Sequence, residues 1–169
     1  MDKLLLALAV AICALAVATT SAAVGAPKSP GNTGDFLTAH NKARVAAKVH
    51  LFSWGPNLAL EANQIVRDQS NLKICNFTRL PDRKYGINQW QSVGLIGCSP
   101  QTVVNQWLME KVNYDEETKS CLANDECRSY LQVVAKNTLF LGCGQATCSG
   151  TNGGCLAMCL YDPPARGTA

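Results

Sequence analysis

Eight cysteines between residues 75 and 159 constrain the fold of this chain more than any other feature of its sequence. The 169 residues include nine cysteines, and one of them, Cys13, lies in an amino-terminal apolar run. The other eight are Cys75, Cys98, Cys121, Cys127, Cys143, Cys148, Cys155 and Cys159. An even number of cysteines in a small exported domain is typical of a disulfide framework. If the chain is exported, the sequence therefore predicts four disulfide bonds.

Zinc binding is the alternative use of closely spaced cysteines such as Cys143 with Cys148 and Cys155 with Cys159. No Cys-x-x-Cys pair of the zinc-knuckle type occurs in the sequence. Thiols are oxidised along the secretory route, so disulfides are favoured over zinc.

The amino terminus predicts export. An uncharged apolar run from Leu4 to Ala18 is followed by small residues. This pattern is typical of a secretory signal peptide over residues 1–23, with cleavage near Ala22 or Ala23. The run is shorter than the roughly 20 apolar residues of a membrane span, and no later run is expected to anchor the chain.

The remainder of the chain is mildly basic. Cleavage would remove one of 15 basic and one of 12 acidic residues, so the net charge stays at +3. Basic residues are interspersed with acidic ones, which argues against nucleic-acid binding. Residues 24–34 are rich in Gly, Pro and Ser and are predicted to be a flexible lead-in. Size and composition then predict a single soluble domain, monomeric and extracellular.

A first helix is predicted from Asp35, which can cap it. Phe36, His40, Ala43 and Ala47 fall on one apolar face of that helix. We expect His40 to be a hydrogen-bonded core histidine rather than a ligand or a catalytic base.

A second helix is predicted to begin at Pro56 and to end before Cys75. Its buried side is predicted to carry Leu58, Ala62, Ile65 and Leu72.

A third helix is predicted from Ser99 and Pro100, with Val103, Trp107, Glu110 and Tyr114 down one face. A carboxylate on an apolar face needs a partner or a wet pocket. Glu110 therefore marks either a cleft or a structural contact, such as a cap or an ion pair.

Strand-like runs follow at 131–135, 139–141 and 156–161, separated by turn residues. They predict an antiparallel sheet held between helices. Asn76-Phe77-Thr78 is an N-glycosylation sequon, which predicts a surface position for Asn76 without deciding whether it carries a glycan.

Five short motifs occur in order along the chain: residues 39–44 (AHNKAR), 107–114 (WLMEKVNY), 132–134 (QVV), 141–143 (LGC) and 159–164 (CLYDPP). Together they resemble the HNxAR, WxxEKxxY, TQVVW, LGC and CNYDPP motifs of plant pathogenesis-related PR-1 proteins of the CAP (SCP/TAPS) family. The resemblance implies an α-β-α sandwich, an α+β fold with an antiparallel sheet between helical layers, over residues 35–164, followed by a short tail at 165–169.

The resemblance also implies a disulfide pattern. The pairs carried over from the family are Cys75 with Cys148, Cys121 with Cys127, and Cys143 with Cys159. The remaining two cysteines, Cys98 and Cys155, are then predicted to pair.

The family's cleft commonly holds a divalent cation with two His and two Glu, and this sequence keeps one of the four. Glu110 matches one Glu. Ile87, after Tyr85 and Gly86, stands where the other is expected, and Ser129 stands in place of one His. The second His is expected near residues 79–80, where none occurs. Zinc needs about three protein ligands, so we expect no metal and no cofactor. The cleft candidates are Glu110, Ile87, Ser129 and Tyr85.

No catalytic constellation is evident. His40 and His50 are the only histidines, and HExxH, GxSxG and P-loop motifs are absent from the sequence. The acidic run at 115–117 is better explained as a solvated turn than as a glycosidase pair. We therefore expect no enzyme.

Three functions remain open. The resemblance implies a secreted, apoplastic defence protein that binds sterol or another lipid, in a cleft made more apolar by Ile87, Leu131 and Ala135. A second hypothesis is a disulfide scaffold that binds a receptor or a pathogen protein. The third is a precursor of a carboxy-terminal signalling peptide, which the short sequence after Asp162 matches poorly.

Overall fold

A computed structural model of the chain describes residues 33–71, 76–77, 84–92, 99–122, 126–148 and 154–165. The signal peptide, most of the lead-in and the tail beyond residue 165 lie outside these ranges. So do Leu72, Cys75, Cys98 and positions 79–80, which the sequence analysis discussed.

A four-stranded sheet forms the middle layer. Its strands are β1 Ser53–Trp54, β2 Gly86–Ser92, β5 Phe140–Thr147 and β6 Cys155–Asp162. They lie side by side in the order β1-β5-β6-β2. The three long strands are antiparallel, as predicted, but the two-residue β1 pairs with β5 in parallel. The sheet is therefore mixed rather than purely antiparallel. A separate small hairpin joins β3 Tyr114–Asp115 to β4 Ser120–Cys121.

Helices cover both faces of the sheet. They are α1 Thr33–Ala46, α2 Pro56–Ser70, α3 Pro100–Met109 and α4 Arg128–Val134, with a 3₁₀ turn Glu110–Asn113 directly after α3. α2 packs on β5 and β6, whereas α1, α3 and α4 pack together on the opposite side. This arrangement confirms the α-β-α sandwich. None of the helices in the described ranges is both long and apolar enough to cross a bilayer.

The predicted helix starts agree with the structure to within two residues. α1 begins at Thr33, two residues before the expected cap, so Asp35 lies in its first turn. Pro56 opens α2, and the Ser99 side chain accepts a hydrogen bond from the Thr102 N–H at the start of α3. Tyr114, however, belongs to β3 and not to α3, because the helix ends at Met109.

Two hydrophobic clusters stabilise the sandwich, one on each face of the sheet. Leu58, Ala62 and Val66 of α2 pack against Leu156, Met158 and Leu160 of β6. Cys159 and Tyr161 of β6 face the other cluster, which includes Phe36, Val103, Trp107 and Val133. Alternate residues of β6 thus belong to opposite clusters, because successive side chains of a strand point to opposite faces of the sheet.

α2 lies unusually close to β5. A Cβ at Gly142 would come within 2.2 Å of the Ala59 nitrogen, and one at Gly144 within 2.4 Å of the Asn63 nitrogen. Only glycine permits this approach of helix backbone to strand backbone.

The strand prediction for residues 131–135 is wrong, because Arg128–Val134 forms α4. A short apolar run fits either a buried strand or a buried helix, and periodicity alone does not separate them. Tertiary contacts stabilise the helix rather than a strand. The buried Gln132 side chain donates to Thr138 Oγ1 at 3.1 Å and accepts from the Ala165 N–H at 2.9 Å.

Residues 86–92 form β2, a strand that the sequence pattern does not indicate. The strand is hard to recognise because its buried face carries polar residues. Asn88 and Ser92 are 3% and 9% exposed, whereas Gln89 and Gln91 on the other face are exposed.

Two of the implied disulfides are present in the described residues, Cys121–Cys127 and Cys143–Cys159. The first ties β4 to the start of α4, and the second joins β5 to β6. Cys148 and Cys155 are also disulfide-bonded. Their expected partners, Cys75 and Cys98, lie outside the described residues.

Arg44 of α1 is fully buried and holds together segments that are distant in sequence. Its guanidinium donates to the carbonyls of His50, Val133, Ala135 and Thr138, with 2.8 Å to Val133 and 3.0 Å to Ala135. The guanidinium carbon also lies 3.7 Å from the centre of the Phe52 ring. The arginine thereby joins the end of α1 to the end of α4.

We predict that Arg44→Met lowers the free energy of unfolding by about 3 kcal/mol or more, because several buried carbonyls lose their donor at once. Chemical denaturation of the oxidised protein measures this change. Arg67→Met on the exposed side of α2 is the matched control and should alter stability by less than about 0.5 kcal/mol. Equal effects of the two substitutions would contradict the role given to Arg44.

Candidate functional site

Glu110 caps α4. Its Oε2 accepts hydrogen bonds from the backbone N–H groups of Ser129 at 2.8 Å and Tyr130 at 3.3 Å. These N–H groups belong to the first turn of α4, where backbone N–H groups have no acceptor within the helix. Of the two roles that the sequence left open for Glu110, the structure shows the structural contact.

A hydrogen-bonded chain continues from this cap into the core. Ser129 accepts through its carbonyl from Asn88 Nδ2 at 3.0 Å, and the same amide donates to the Tyr161 hydroxyl at 3.1 Å. Tyr161 in turn lies 2.9 Å from His40 Nε2. Five elements, from the 3₁₀ turn to α1, are thus connected through one polar network.

The network fixes the tautomer of His40. Its Nδ1 lies 2.8 Å from the Phe36 carbonyl, which can only accept, so Nδ1 carries the proton. Nε2 is then the acceptor for the Tyr161 hydroxyl. His40 is buried with both ring nitrogens bonded, which confirms the expected core histidine.

Burial lowers the pKa of His40 to about 4, and the nearby Arg44 cation adds to that effect, while the bond to the Phe36 carbonyl opposes it. Burial also raises the pKa of the Tyr161 hydroxyl well above its usual value. Both groups are therefore neutral at physiological pH.

The four cleft candidates do not come together. Ile87 and Tyr85 pack at the edge of the α2-side cluster, and Ile87 pairs in register with Leu160 of that cluster. Glu110 and Ser129 bond to each other on the other side of the sheet. A side chain at position 87 therefore faces away from Glu110 in this chain.

Metal binding finds no support among the described side chains. No group of three or more His, Cys, Asp or Glu in those ranges could hold an ion. Glu110 is already engaged by two backbone donors, and His40 is enclosed in the core.

The sequon residue Asn76 is exposed, as predicted. The sequon's Thr78 lies outside the described residues.

A cleft of about 820 Å³ lies between the carboxy-terminal end of α1, the 3₁₀ turn, the β3–β4 hairpin and α4. None of the four candidates lines it. About half of its wall is apolar, with side chains that include Ala43, Ala47, Val49, Leu108, Leu131 and Val134. Leu131 and Ala135 line it, but Ile87, predicted to share an apolar cleft with them, does not.

The polar part of the cleft is mainly cationic. Lys111, Lys119 and Lys136 contribute three positive charges against one negative charge from Glu116. Lys119 and Glu116 form a 3.2 Å ion pair. Tyr114 and Tyr130 add two phenol groups, with ring centres 5.8 Å apart. The cleft therefore combines an apolar wall with cationic and hydroxyl donors.

Sequence reasoning did not find the cleft lysines, because they come from the 3₁₀ turn, the hairpin and the end of α4. In the sequence they look like three unrelated surface charges. Arg44 fixes α1 against the end of α4 and thereby helps to position Lys136.

A disulfide-bridged sheet covered on both faces by helices is the class of fold that these elements define. The profile of the CAP, or cysteine-rich secretory protein, family matches residues 37–161. The chain belongs to this family.

Its relatives among characterised plant proteins are of the PR-1 type. The chain is 35% identical to "Pathogenesis-related protein 1" of Arabidopsis thaliana over 137 residues, covering 81% of this chain and 80% of the relative. It is 40% identical over 130 residues to the STS14 protein of Solanum tuberosum, covering 77% of this chain but 60% of that protein, which is less than two thirds. The chain is thus a PR-1-like protein, related by the names of its relatives to plant defence.

Solved structures share the fold. The Schistosoma mansoni venom allergen-like protein 4 matches with a TM-score of 0.61 and 22% identity, covering 78% of this chain and 88% of the other. The protein MpPR-1i matches with a TM-score of 0.55 and 22% identity, covering 78% and 86%.

We predict that Glu110→Ala destabilises the protein by about 1 to 2 kcal/mol, because two N–H groups of α4 lose their acceptor. Glu110→Gln keeps an oxygen acceptor and should cost less. Denaturation midpoints report both changes, with Glu61→Ala on exposed α2 as the control. No loss in Glu110→Ala would show that the cap is dispensable.

We predict an acid-dependent loss of stability from His40. Between pH 6.5 and about 4 the unfolded chain binds a proton at this residue that the folded chain does not bind. The contribution of neutral, buried His40 to the free energy of unfolding is complete above pH 6.5. It decreases as the pH falls towards 4, by about 3 kcal/mol in total. Denaturation at a series of pH values should show a shallower pH dependence for His40→Gln. Gln64→Ala, at an exposed and non-titrating position of α2, is the control and should keep the wild-type slope. Identical slopes in all three proteins would refute the assignment.

Proposed function

We propose that this PR-1-like chain is a secreted, non-enzymatic defence protein that binds sterol or another lipid in the cleft between α1 and α4. The observation that carries the proposal is the mixed lining of the 820 Å³ cleft, in which apolar side chains of α1 and α4 lie beside lysine and tyrosine donors. The plant relatives named for pathogenesis support the assignment to defence. The predicted signal peptide and the disulfides support secretion.

The size and lining of the cleft suit an amphipathic small molecule. Pockets for such ligands usually have volumes of about 300 to 1,000 Å³ and combine apolar walls with placed polar groups. The lining of this cleft is about equally apolar and polar. The alanines of α1 and the leucine and valine of α4 would contact a hydrocarbon body. Lys111, Tyr114 and Tyr130 could donate hydrogen bonds to a hydroxyl or an anionic head group.

The side chains that line the cleft include no pair of catalytic groups, which supports a binding role. His40 is enclosed in the core and has its pKa lowered to about 4. Glu110 is committed to capping α4. Among the side chains that line the cleft, Glu116 is the one carboxylate, so a paired acid and base for hydrolysis is missing there.

The site proposed here differs from the metal cleft implied by the family resemblance. Ile87 packs on the α2 side of the sheet, so a charge at that position would test stability rather than ligand binding. We infer that the lipid site needs no metal, because its walls are fixed by the Cys121–Cys127 bridge and by the bonds of Arg44.

Filling the cleft tests the proposal. Ala47 lines it and is solvent-exposed, so Ala47→Trp should fold and block the site. We expect fluorescence titrations with a fluorescent sterol and a fluorescent fatty acid to show saturable binding of one probe to the wild type. Affinity should fall at least about tenfold in Ala47→Trp, since the indole displaces the ligand from apolar surface.

Gln64→Trp, on the exposed side of α2, is the matched control and should bind like the wild type. If neither probe binds the wild type, the lipid proposal fails. Recognition of a receptor or a pathogen protein by the outer surface would then be the better explanation. Binding that is equal in both tryptophan variants would place the ligand outside the cleft.

A further inference from the structure

The Cys121–Cys127 disulfide lies closer to solvent than the other cysteines of the described ranges. Cys121 is partly exposed, and its neighbours Ser120 and Leu122 are exposed on either side of it. The remaining cysteines of those ranges are buried, namely Cys127, Cys143, Cys148, Cys155 and Cys159. A thiol reagent therefore reaches the Cys121 side chain more easily than the buried cysteines.

This bridge also closes a short loop. Its cysteines are 6 residues apart in the sequence, whereas Cys143 and Cys159 are 16 apart. A disulfide stabilises a protein mainly by restricting the unfolded chain, and a shorter loop restricts that chain less. Cys143 and Cys159 also lie in register on β5 and β6, so the sheet keeps their sulfurs together after reduction. Both features make Cys121–Cys127 the easier of the two bridges to open.

The bridge lies between two side chains that line the cleft. Tyr114 is in register with Cys121 in the β3–β4 hairpin. Tyr130 lies in the first turn of α4, and Cys127 is the N-cap residue of that helix. Both tyrosines line the cleft, with ring centres 5.8 Å apart. The disulfide therefore holds the hairpin wall of the cleft against the α4 wall.

Reduction would affect the hairpin more than α4. The helix is still held by the Glu110 carboxylate at its start and by Arg44 at its end. Beside the disulfide, a 3.0 Å hydrogen bond from Asn113 Nδ2 to the Glu126 carbonyl connects the base of the hairpin to the segment before α4. That bond is exposed to solvent, so it opens readily.

We propose that the Cys121–Cys127 disulfide is a redox-sensitive switch of the cleft, opened by a dithiol reductant. Once the bridge is reduced, the hairpin with Tyr114, Glu116 and Lys119 moves away from α4. The cleft then loses one wall, and its affinity for a ligand falls. The regulatory effect rests on the proposed lipid binding, whereas the opening of the bridge and of the hairpin does not.

The chemistry is thiol–disulfide exchange. A thiolate of the dithiol attacks the Cys121 sulfur and forms a mixed disulfide, while Cys127 leaves as a thiolate. The second thiol of the reductant then displaces the Cys121 sulfur. The dithiol is oxidised to a disulfide by loss of two electrons, and its two protons end on the two cysteines.

Graded reduction of the folded protein tests the switch. The full-length secreted protein is incubated with increasing dithiothreitol without denaturant, and its free thiols are then blocked with N-ethylmaleimide in denaturant and located by peptide mass spectrometry. We expect Cys121 and Cys127 to be modified at dithiothreitol concentrations at least about tenfold lower than Cys143 and Cys159. Opening of both bridges at the same concentration, or of Cys143–Cys159 first, would overturn the proposal.

Hydrogen exchange reports the hairpin without any ligand. In the protein with only this bridge reduced, the amides of residues 114–122 should exchange at least about tenfold faster than in the oxidised protein. The amides of α4 should change by less than about twofold, because Glu110 and Arg44 still hold the helix. Unchanged exchange in the hairpin would contradict its release.

The double variant Cys121→Ser with Cys127→Ser links the switch to the cleft. It should bind whichever fluorescent probe binds the wild type at least about fivefold more weakly than the oxidised wild type, because the closed hairpin is less populated. Dithiothreitol at the concentration that opens the bridge should weaken binding to the wild type equally, and reoxidation should restore it. The double variant should not respond to dithiothreitol.

An equal response of the double variant to dithiothreitol would assign the change to another disulfide and overturn the switch. If the oxidised wild type binds no probe, the lipid-binding proposal fails. The order of reduction and the hydrogen exchange of the hairpin then still decide whether the bridge opens the hairpin.

Discussion

The buried guanidinium of Arg44 is the interaction on which the rest of this structure depends. A cation enclosed in the core is stable only if its donors are satisfied, and here backbone carbonyls from three separate segments satisfy them. Those segments are the loop after α1, the end of α4 and the approach to β5. Fixing them together places the alanines of α1 opposite Leu131 and Val134 of α4. The wall of the cleft is therefore a consequence of how Arg44 is paired.

A second polar network fixes the start of α4, as Arg44 fixes its end. Glu110, Asn88 and Tyr161 connect the 3₁₀ turn, β2 and β6 to His40 of α1. Because α4 has only seven residues, its own hydrogen bonds contribute little, and both of its ends need outside partners. Glu110 supplies the partner at one end and Arg44 at the other. The Cys121–Cys127 bridge adds a covalent tie beside the cap.

The sequence predicted most of the framework and little of the site. Pro56 and Ser99 marked helix starts, and the motifs around Arg44 and Glu110 indicated the sandwich, because local rules and family patterns act over short stretches. β2 was missed because Asn88 and Ser92 lie on its buried face, and α4 was taken for a strand because long-range contacts determine its form. The cleft lysines come from three elements, so no local pattern could bring them together. Ile87 aligns with the position of a Glu in the family's motif. Because side chains alternate along a strand, Ile87 lies on the face of the sheet opposite Glu110.

A cleft without a metal, as proposed here, is consistent with this architecture. Glu110 and Asn88 already satisfy backbone groups of α4. The isolated Glu110 is thus better explained by its cap than by a vestigial ligand role. Because the polar network and the disulfide fix α4 without an ion, the cleft on the other side of α4 keeps its shape. A ligand in that cleft can therefore be held by apolar contacts and by the lysines of the cleft wall, without a metal ion. These contacts are the basis of the function proposed above.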